Sequence, residues 1–507
     1  MEIVTVSWST PTVGLGLVFL YFTINVIYNL FLHPLARVPG PQLWAATRLR
    51  FIRSLVTGDL NRDVQKLHEK YGEVVRTAPD EVSFSSEEAL HDMFNGRTGA
   101  KQFPRDTIFW KAPPGQPENL VHTNDHAASV RMRSVAMPAF TERAVVTQEP
   151  KIQAYVDLLI RKLLEHTKEE PSGAVINIVE WMNWFAFDLI GELSLGVSFG
   201  CLVDTQNHPW VDMVFDYVKV MTFSIGTRYY PWVERLLLLL IPPSLKKQQV
   251  DHFRFTVDKL HQRVADKSDK AGQIDFVGPM IDEKTNPGYT KMSMAEIESS
   301  ISNVILAGSE TTGSTLSGLL NIMVQNPREI HKLENEIRGA FEKEDEMTLK
   351  SLANLPFLNS VLNEGMRLAN PVPGGLLRVV PKGGATVCGY YLPEKTHVQV
   401  DFLSMAFSEK YFHRAREFLP DRWLPEDVRP TEFKNDHLNC QKPFGIGSRA
   451  CIGKPFAMAE MRLLLARLVW KFDISMKPGK QVNWNELKTF FVVERVPTYI
   501  VVKPRTQ

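Results

Sequence analysis

The amino-acid sequence predicts a mainly α-helical fold with small β-sheets, in which a single large helical domain follows an amino-terminal transmembrane helix. Three observations carry that prediction. Through most of the chain after residue 125, apolar residues recur at three- and four-residue spacing, the period of amphipathic helices. The two-residue alternation of strands is confined to short stretches near both ends of the body. No linker-like composition divides the 507 residues, although that length alone would allow about three domains.

Residues 3–36 contain no Lys, Arg, Asp or Glu, and residues 11–32 are mostly apolar. At 1.5 Å per residue such a helix covers roughly 30 Å, the thickness of a bilayer core. Residues 1–35 are therefore read as a membrane anchor with its transmembrane helix at about 11–32, and residues 36–507 as the body. Arg37, Arg48, Arg50 and Arg53 follow the segment and only Glu2 precedes it, which places the body on the cytoplasmic side. A cleaved signal peptide is the alternative, and it would want a basic start, a shorter apolar run and a small-residue cleavage site. Pro39-Gly40-Pro41 comes next and reads as a hinge.

Residues 72–84 alternate about Pro79-Asp80 and read as a strand hairpin. Helical periodicity then marks 125–140, 152–164, 178–195, 211–221 and 250–265. The apolar run 236–241, stopped by Pro242-Pro243, is too short to span a membrane. It reads either as an element dipping into the bilayer face or as a buried helix end. Ser293 and Glu296 form a capping box, and the helix they open runs some thirty residues to Asn326-Pro327. Gly308 and the hydroxyls of Ser309, Thr311 and Thr312 are poor helix formers, and a hydroxyl competing for backbone carbonyls can open a bulge beside a ligand there. The charged run 342–346 reads as a solvated loop. A further helix starts near Asn354 and Pro356, and strand signals return at 385–391 and 490–502.

Bulk composition excludes several function classes. A net charge of +1 gives no electrostatic footprint for nucleic acid. The four cysteines, Cys201, Cys388, Cys440 and Cys451, lack C-x-x-C spacing, so neither a zinc site nor a disulfide framework is indicated, and the body suits a reducing compartment. No glycine-rich nucleotide fingerprint follows a strand, so a redox reaction here would draw its electrons from another protein.

The chemistry concentrates at Phe444-Gly445-Ile446-Gly447-Ser448-Arg449-Ala450-Cys451-Ile452-Gly453. Glycines let backbone amides crowd the sulfur, and a helix over about 455–470 aims its positive end at it, two features that favour a thiolate. A thiolate beside Arg449 suits an iron porphyrin, which needs an axial ligand and carries anionic propionates. This loop resembles the cysteine-ligand signature of the cytochrome P-450 family, which specifies Phe, Gly, Gly, Arg, Cys and Gly at the positions of Phe444, Gly445, Gly447, Arg449, Cys451 and Gly453. Ala307-Gly308-Ser309-Glu310-Thr311-Thr312 resembles the family's oxygen-activation motif, and Glu364-x-x-Arg367 with Phe418-Leu419-Pro420-Asp421-Arg422-Trp423 resembles its ionic scaffold.

The resemblance covers nearly the whole chain and implies a cytochrome P-450 fold of microsomal type. It implies haem b held by Cys451, catalytic proton delivery by Glu310 and Thr311, and cofactor contacts from Arg133, Arg378, Arg449, Phe444 and Gly453. Ser129 stands where the family usually has Trp or His four residues before the arginine, leaving His126 as a substitute or the contact missing, with Arg131 as the rival of Arg133. The implied reaction is insertion of one atom of O₂ into a lipophilic small molecule, by hydroxylation or epoxidation, with electrons from an NADPH-cytochrome reductase. The implied location is the endoplasmic reticulum membrane, single-pass, with no nucleic-acid partner. Residues 371–375 and 381–389 resemble filamentous-fungal members acting on terpenoid or polyketide secondary metabolites, such as trichothecene-type hydroxylases. The expected pocket walls are 101–121, Val304 and Ala307, 372–376 and 489–492, mostly apolar. A haem-thiolate isomerase or dehydratase needing no O₂, and a haem-binding membrane sensor, are the other classes that such a thiolate loop serves.

Overall fold

The computed structural model describes residues 10–95, 102–112, 115–168, 170, 172–240, 243–265, 275–375 and 377–505. The chain divides into two compact units, Met1–Asp106 with Gly375–Ser404, and Thr107–Gly374 with Met405–Gln507. Its strands in chain order are β1 (Val74–Ala78), β2 (Glu81–Phe84), β3 (Ala174–Asn177), β4 (Arg378–Val379), β5 (Ala385–Val387), β6 (Tyr390–Leu392), β7 (His397–Val400), β8 (Phe472–Met476), β9 (Thr489–Phe490), β10 (Val492–Val493) and β11 (Tyr499–Pro504). All are short, and helices supply most of the remaining regular structure.

In the smaller unit the apolar helix Thr10–Ile27 continues through a wider π-helical turn, Tyr28–Leu32. The stretch Thr12–Leu32 is long and apolar enough to cross a membrane, and its apolar part is not buried against the rest of the protein. The expected hinge at Pro39-Gly40-Pro41 is packed instead. Leu35, Val38 and Trp44 around it are buried, and Pro39 O accepts from Arg76 N at 2.7 Å. Three helices that the sequence reading missed, Gln42–Ala46, Leu49–Val56 and Leu60–Tyr71, lead into a sheet of order β1-β2-β7-β4. The expected hairpin is β1 and β2, and β2 pairs in parallel with β7 through the register Glu81↔His397 to Phe84↔Val400. β5 and β6 form a separate hairpin.

The larger unit holds the helical core. The helix expected at 178–195 is Ile178–Leu195, and those at 211–221 and 250–265 extend to Pro209–Arg228 and Pro243–Ala265, each opened by a proline in the first turn, where no donor is needed. The helix expected at 152–164 is longer, Glu142–Thr167, because Thr141 caps it and Pro150 is tolerated inside. A three-stranded sheet β3-β11-β8 and the hairpin β9-β10 complete the unit.

The long helix is Met294–Val324, 31 residues capped by Ser293 and Glu296 as expected. It has no bulge at 307–312. Ser309, Thr311 and Thr315 each return their hydroxyls to the carbonyl four residues back, at 2.8, 2.6 and 2.8 Å, and the ladder continues through them. Gly308 serves close packing: a Cβ there would stand 2.5 Å from Ile190 on the facing helix Ile178–Leu195.

The run 342–346 is solvent-exposed between two helices as expected, and Glu344 ties it down by pairing with Arg467 at 2.7 Å and Lys471 at 2.5 Å. The helix Pro231–Leu240 exposes Trp232, Leu236 and Leu239 by 67%, 51% and 80%, so its described part is no buried helix end; Ile241 and Pro242 lie outside the described residues.

Candidate active site

The cysteine loop is shaped by its glycines. Gly445 and Gly447 adopt φ of 67° and 74°, a left-handed backbone that side chains disfavour, and the turn they make returns Cys451 N to Phe444 O at 2.7 Å. Lys454 Nζ stands 5.8 Å from the centre of the Phe444 ring. The helix Lys454–Lys471 starts from Gly453 as its cap. Amides of Gly453 and Lys454 hydrogen-bond the sulfur and, with the charge of Arg133, favour the thiolate, but burial is the larger effect and pushes the thiol up. The expected pull of the amides and of the helix's first turn toward the thiolate is thus present, and desolvation opposes it. The side chain is nonetheless solvent-accessible while lying deep among protein atoms, as a group lining an internal recess does.

The long helix shows the same signature. Ala307 is exposed and Thr311 partly so, one turn apart, although most of the helix from Ser309 onward is buried. Glu310 points elsewhere: its side chain is 2% exposed and ion-pairs with Arg495, whose guanidinium sits 5.7 Å from the Phe187 ring centre. Burial pushes the Glu310 carboxyl up while Arg495 pulls it back, and its second oxygen has no hydrogen-bond partner among the described residues. Sequence reasoning missed Arg495, which follows the β9-β10 hairpin 185 residues away.

Arg133 and Arg449 form the cationic part. Burial pushes both guanidinium pKa values down, and the like charge of Arg133 lowers Arg449 further. Neither is ion-paired among the described residues; Arg449 donates to Asp125 O at 3.2 Å and keeps a buried Nη1 without a partner. Two half-buried, mutually repelling cations call for an anion between them, which fits the propionates of a porphyrin. Arg131 is already committed, bonding Glu296 at 2.7 Å and the Lys291 carbonyl. Ser129 is buried and His126 is exposed at the first turn of the helix His126–Ala136. Arg378 belongs to the smaller unit, where it is buried on β4 with its guanidinium 4.9 Å from the Phe94 ring centre.

The sequence matches the cytochrome P-450 family model over residues 38–502. The chain belongs to the cytochrome P-450 family. It is 36% identical to the averantin hydroxylase of Dothistroma septosporum, across 98% of this chain and 92% of that protein. It is likewise 36% identical to the cytochrome P-450 monooxygenase astA of Talaromyces wortmannii, across 97% of each, and 34% identical to the monooxygenase lcsI of Purpureocillium lilacinum, across 96% and 92%. A crystal structure of a cytochrome P-450 superposes with a TM-score of 0.72 at 18% identity, covering 88% of this chain and 94% of the other. The protein is thus a P-450 monooxygenase, and its cofactor is haem with an axial cysteine thiolate.

In this P-450 the ionic scaffold is complete. Glu364 on the helix Pro356–Leu368 bonds Arg367 at 2.7 and 2.8 Å and Arg422 at 3.1 Å, and it accepts from Leu419 N and the Trp423 indole at 3.0 and 2.8 Å. Burial would raise its carboxyl, but Arg367 and Arg422 hold it below the usual carboxylate range. Arg367 also reaches the carbonyls of Ala406 and Ala415, so the group ties three segments into one geometry. Gln441, just before the cysteine loop, bonds Met366 O at 3.4 Å and links the loop's approach to this helix.

Two expected pocket walls meet. Phe109 and Trp110 each lie 6.0 Å from Phe491, ring centre to ring centre, and Phe491 holds φ of 69°, a strained conformation for an aromatic residue. Lys101, Pro113, Pro114 and Leu376 of the expected walls lie outside the described residues.

Proposed function

We propose that this cytochrome P-450 holds its haem iron on Cys451 and inserts one oxygen atom from O₂ into a lipophilic small molecule, by hydroxylation or epoxidation, of the terpenoid or polyketide secondary-metabolite class. The observation that carries the proposal is the accessible yet deep Cys451 thiol near two arginines, Arg133 and Arg449, that make no ion pair among the described residues. Bound there, a thiolate-ligated haem supplies reductive activation of O₂ and attack on unactivated C–H bonds. The chain's own residues do the rest. Arg133 and Arg449 bind the propionates, and Arg378 keeps the role its motif assigns. Phe444 and Gly453 frame the sulfur. Thr311 and Glu310 move protons toward the oxygen site, with Arg495 holding the Glu310 carboxylate in place. Phe109, Trp110 and Phe491 offer an apolar aromatic surface to the substrate.

The electrons come from an NADPH-dependent reductase in the same membrane, and the endoplasmic reticulum with the body on the cytoplasmic side is the location we propose. The relative named averantin hydroxylase supports hydroxylation as the reaction type. The full chain supplied with reductase, NADPH and O₂ is expected to oxidise a member of a lipophilic metabolite panel that also shifts the haem Soret band. Turnover that persists without NADPH and O₂ would instead identify an isomerase or dehydratase.

A further inference from the structure

The helix Pro209–Arg228 ends on a buried cation. Arg228 is its last residue, and the chain turns at once into the helix Pro231–Leu240, with Tyr230 N bonding Thr227 O at 2.9 Å and Glu234 N bonding Tyr230 O at 3.0 Å. The Arg228 side chain is buried against residues 107–112, which belong to no helix or strand. Its Nη1 donates to three carbonyl oxygens there, those of Ile108 at 3.3 Å, Phe109 at 3.4 Å and Lys111 at 3.0 Å. Carbonyls from a stretch of four residues converge on one point only when the chain curls around it, and their negative ends then repel one another. A cation at the centre turns that repulsion into charge-assisted bonding.

Glu234, in the first turn of the next helix, completes the clasp. Its Oε1 lies 3.9 Å from Arg228 Nε and accepts from Lys111 Nζ at 3.4 Å. The Lys111 side chain is 54% exposed, so that pair contributes little and the hold resides in Arg228. What the clasp holds is the aromatic wall. The rings of Phe109 and Trp110 meet at 5.0 Å, and each lies 6.0 Å from Phe491 at the tip of the β9-β10 hairpin. The same helix reaches that hairpin, since Lys219 Nζ stands 5.6 Å from the Phe490 ring centre. One helix thus contacts both sides of the wall, the loop through its last residue and the hairpin through Lys219.

We propose that Arg228 is a positioning residue for the substrate: by gathering the carbonyls of Ile108, Phe109 and Lys111 it presents Phe109 and Trp110 beside Phe491 as a preformed apolar wall, and so sets the affinity for ligands whose rings lie against it. Arg228 touches no reacting atom. A wall formed before the ligand arrives removes the cost of ordering the loop from the binding step. All three bonds come from one nitrogen, so an ammonium, with three N–H donors and the same charge, is a partial replacement, whereas a neutral amide is not. The proposal rests on reading the three rings as substrate surface, and the test separates the two.

The test uses the full-length, haem-loaded protein and two probes that ligate haem iron, imidazole itself and an imidazole carrying a biphenylmethyl group on nitrogen; only the second has rings to lay against the wall. Arg228→Met, which removes the charge and the donors, is expected to weaken the biphenyl probe several-fold in a Soret titration and to leave imidazole binding and the Soret position of the free protein unchanged. Hydrogen exchange at the amides of residues 107–112 rises in the same variant. Arg228→Lys recovers part of both effects, and Arg228→Gln recovers neither. Should Arg228→Met fail to load haem, Arg228→Gln, which keeps an amide donor and loses the charge, decides by the same readouts. Equal change for both probes, or none for either, overturns the positioning role, and exchange unaltered at 107–112 overturns the clasp. A loss that Arg228→Lys does not recover at all overturns the part given to the charge. If Phe109→Ala leaves the biphenyl probe's affinity unchanged, the reading of the rings as substrate surface falls and the proposal with it. If Phe109→Ala weakens that probe and Arg228→Met does not, the proposal alone falls.

Discussion

Arg131 and Arg133 are two residues apart on one helix and do different work. Arg131 is ion-paired with Glu296, whereas Arg133 and Arg449 make no ion pair among the described residues and repel each other. Removing Arg133 or Arg449 is therefore expected to speed haem loss to an apoprotein acceptor several-fold, while Arg131→Ala leaves it unchanged. Equal loss rates in all three variants would sink the assignment. Glu310 is the other residue whose surroundings decide its role. Desolvation pushes this buried carboxyl up and the Arg495 charge pulls it back, so its surroundings set its proton affinity. Glu310→Gln is expected to lower product formation by at least about tenfold, within the range of general acid–base assistance, with an unchanged Soret band. Arg495→Leu removes the counter-charge, so the pH profile of turnover is expected to move upward, and Arg495→Lys to restore it in part. A profile that stays in place in Arg495→Leu would leave Arg495 with packing alone. The motif reveals Glu310 but not Arg495, because nothing local to residue 495 marks it as the partner of a carboxylate 185 positions earlier.

At the scale of elements, the capped long helix is readable because its signals are local, a capping box at one end and Asn326-Pro327 at the other. Its lack of a bulge is not readable, because the choice between bulge and continuous ladder depends on the close approach of Ile190 and on hydroxyls that return to their own helix. The helices Leu49–Val56 and Leu60–Tyr71 are legible, since each carries its own buried face, Phe51 and Leu55 on one and Val64 and His68 on the other, whereas Gln42–Ala46 is too short to show a period. The cysteine helix carries a feature with a measurable consequence. Glu460 is buried without a partner among the described residues, and desolvation raises its carboxyl from 4.5 to about 8. A raised folded-state pKa means its stabilising contribution is complete below about pH 4.5 and is lost as pH rises toward 8, at about 1.4 kcal/mol per pKa unit. Glu460→Gln is thus expected to raise the thermal midpoint at pH 8 and to leave it nearly unchanged at pH 5; the reverse order would refute the burial argument. Glu364 works in the opposite sense. Its depressed carboxyl stabilises above the unfolded value and loses that effect as pH falls through the folded one. Glu364→Gln leaves Arg367 and Arg422 as buried, less compensated cations, and a loss of about 3–5 kcal/mol is expected by chemical denaturation.

At the scale of the whole molecule, the mainly helical class and the haem-thiolate family are both evident in the sequence, because six loop residues at fixed offsets and two further motifs keep the family's order. The joint behind the apolar segment reads wrongly as a hinge, since Pro-Gly-Pro suggests freedom until Arg76 and Asn29 are seen to close it. Monooxygenases of this family draw their electrons from a redox partner, and turnover is expected only when one is supplied.

The central claim is that Cys451 is the haem ligand, and the carbon monoxide difference spectrum of the reduced full-length protein tests it most directly. The unaltered chain is expected to give the strongly red-shifted Soret band of a thiolate-ligated haem, and Cys451→Ser to lose it even where haem is retained, while Cys440→Ser keeps it. A red-shifted band surviving in Cys451→Ser, or absent from the unaltered chain, would contradict the account.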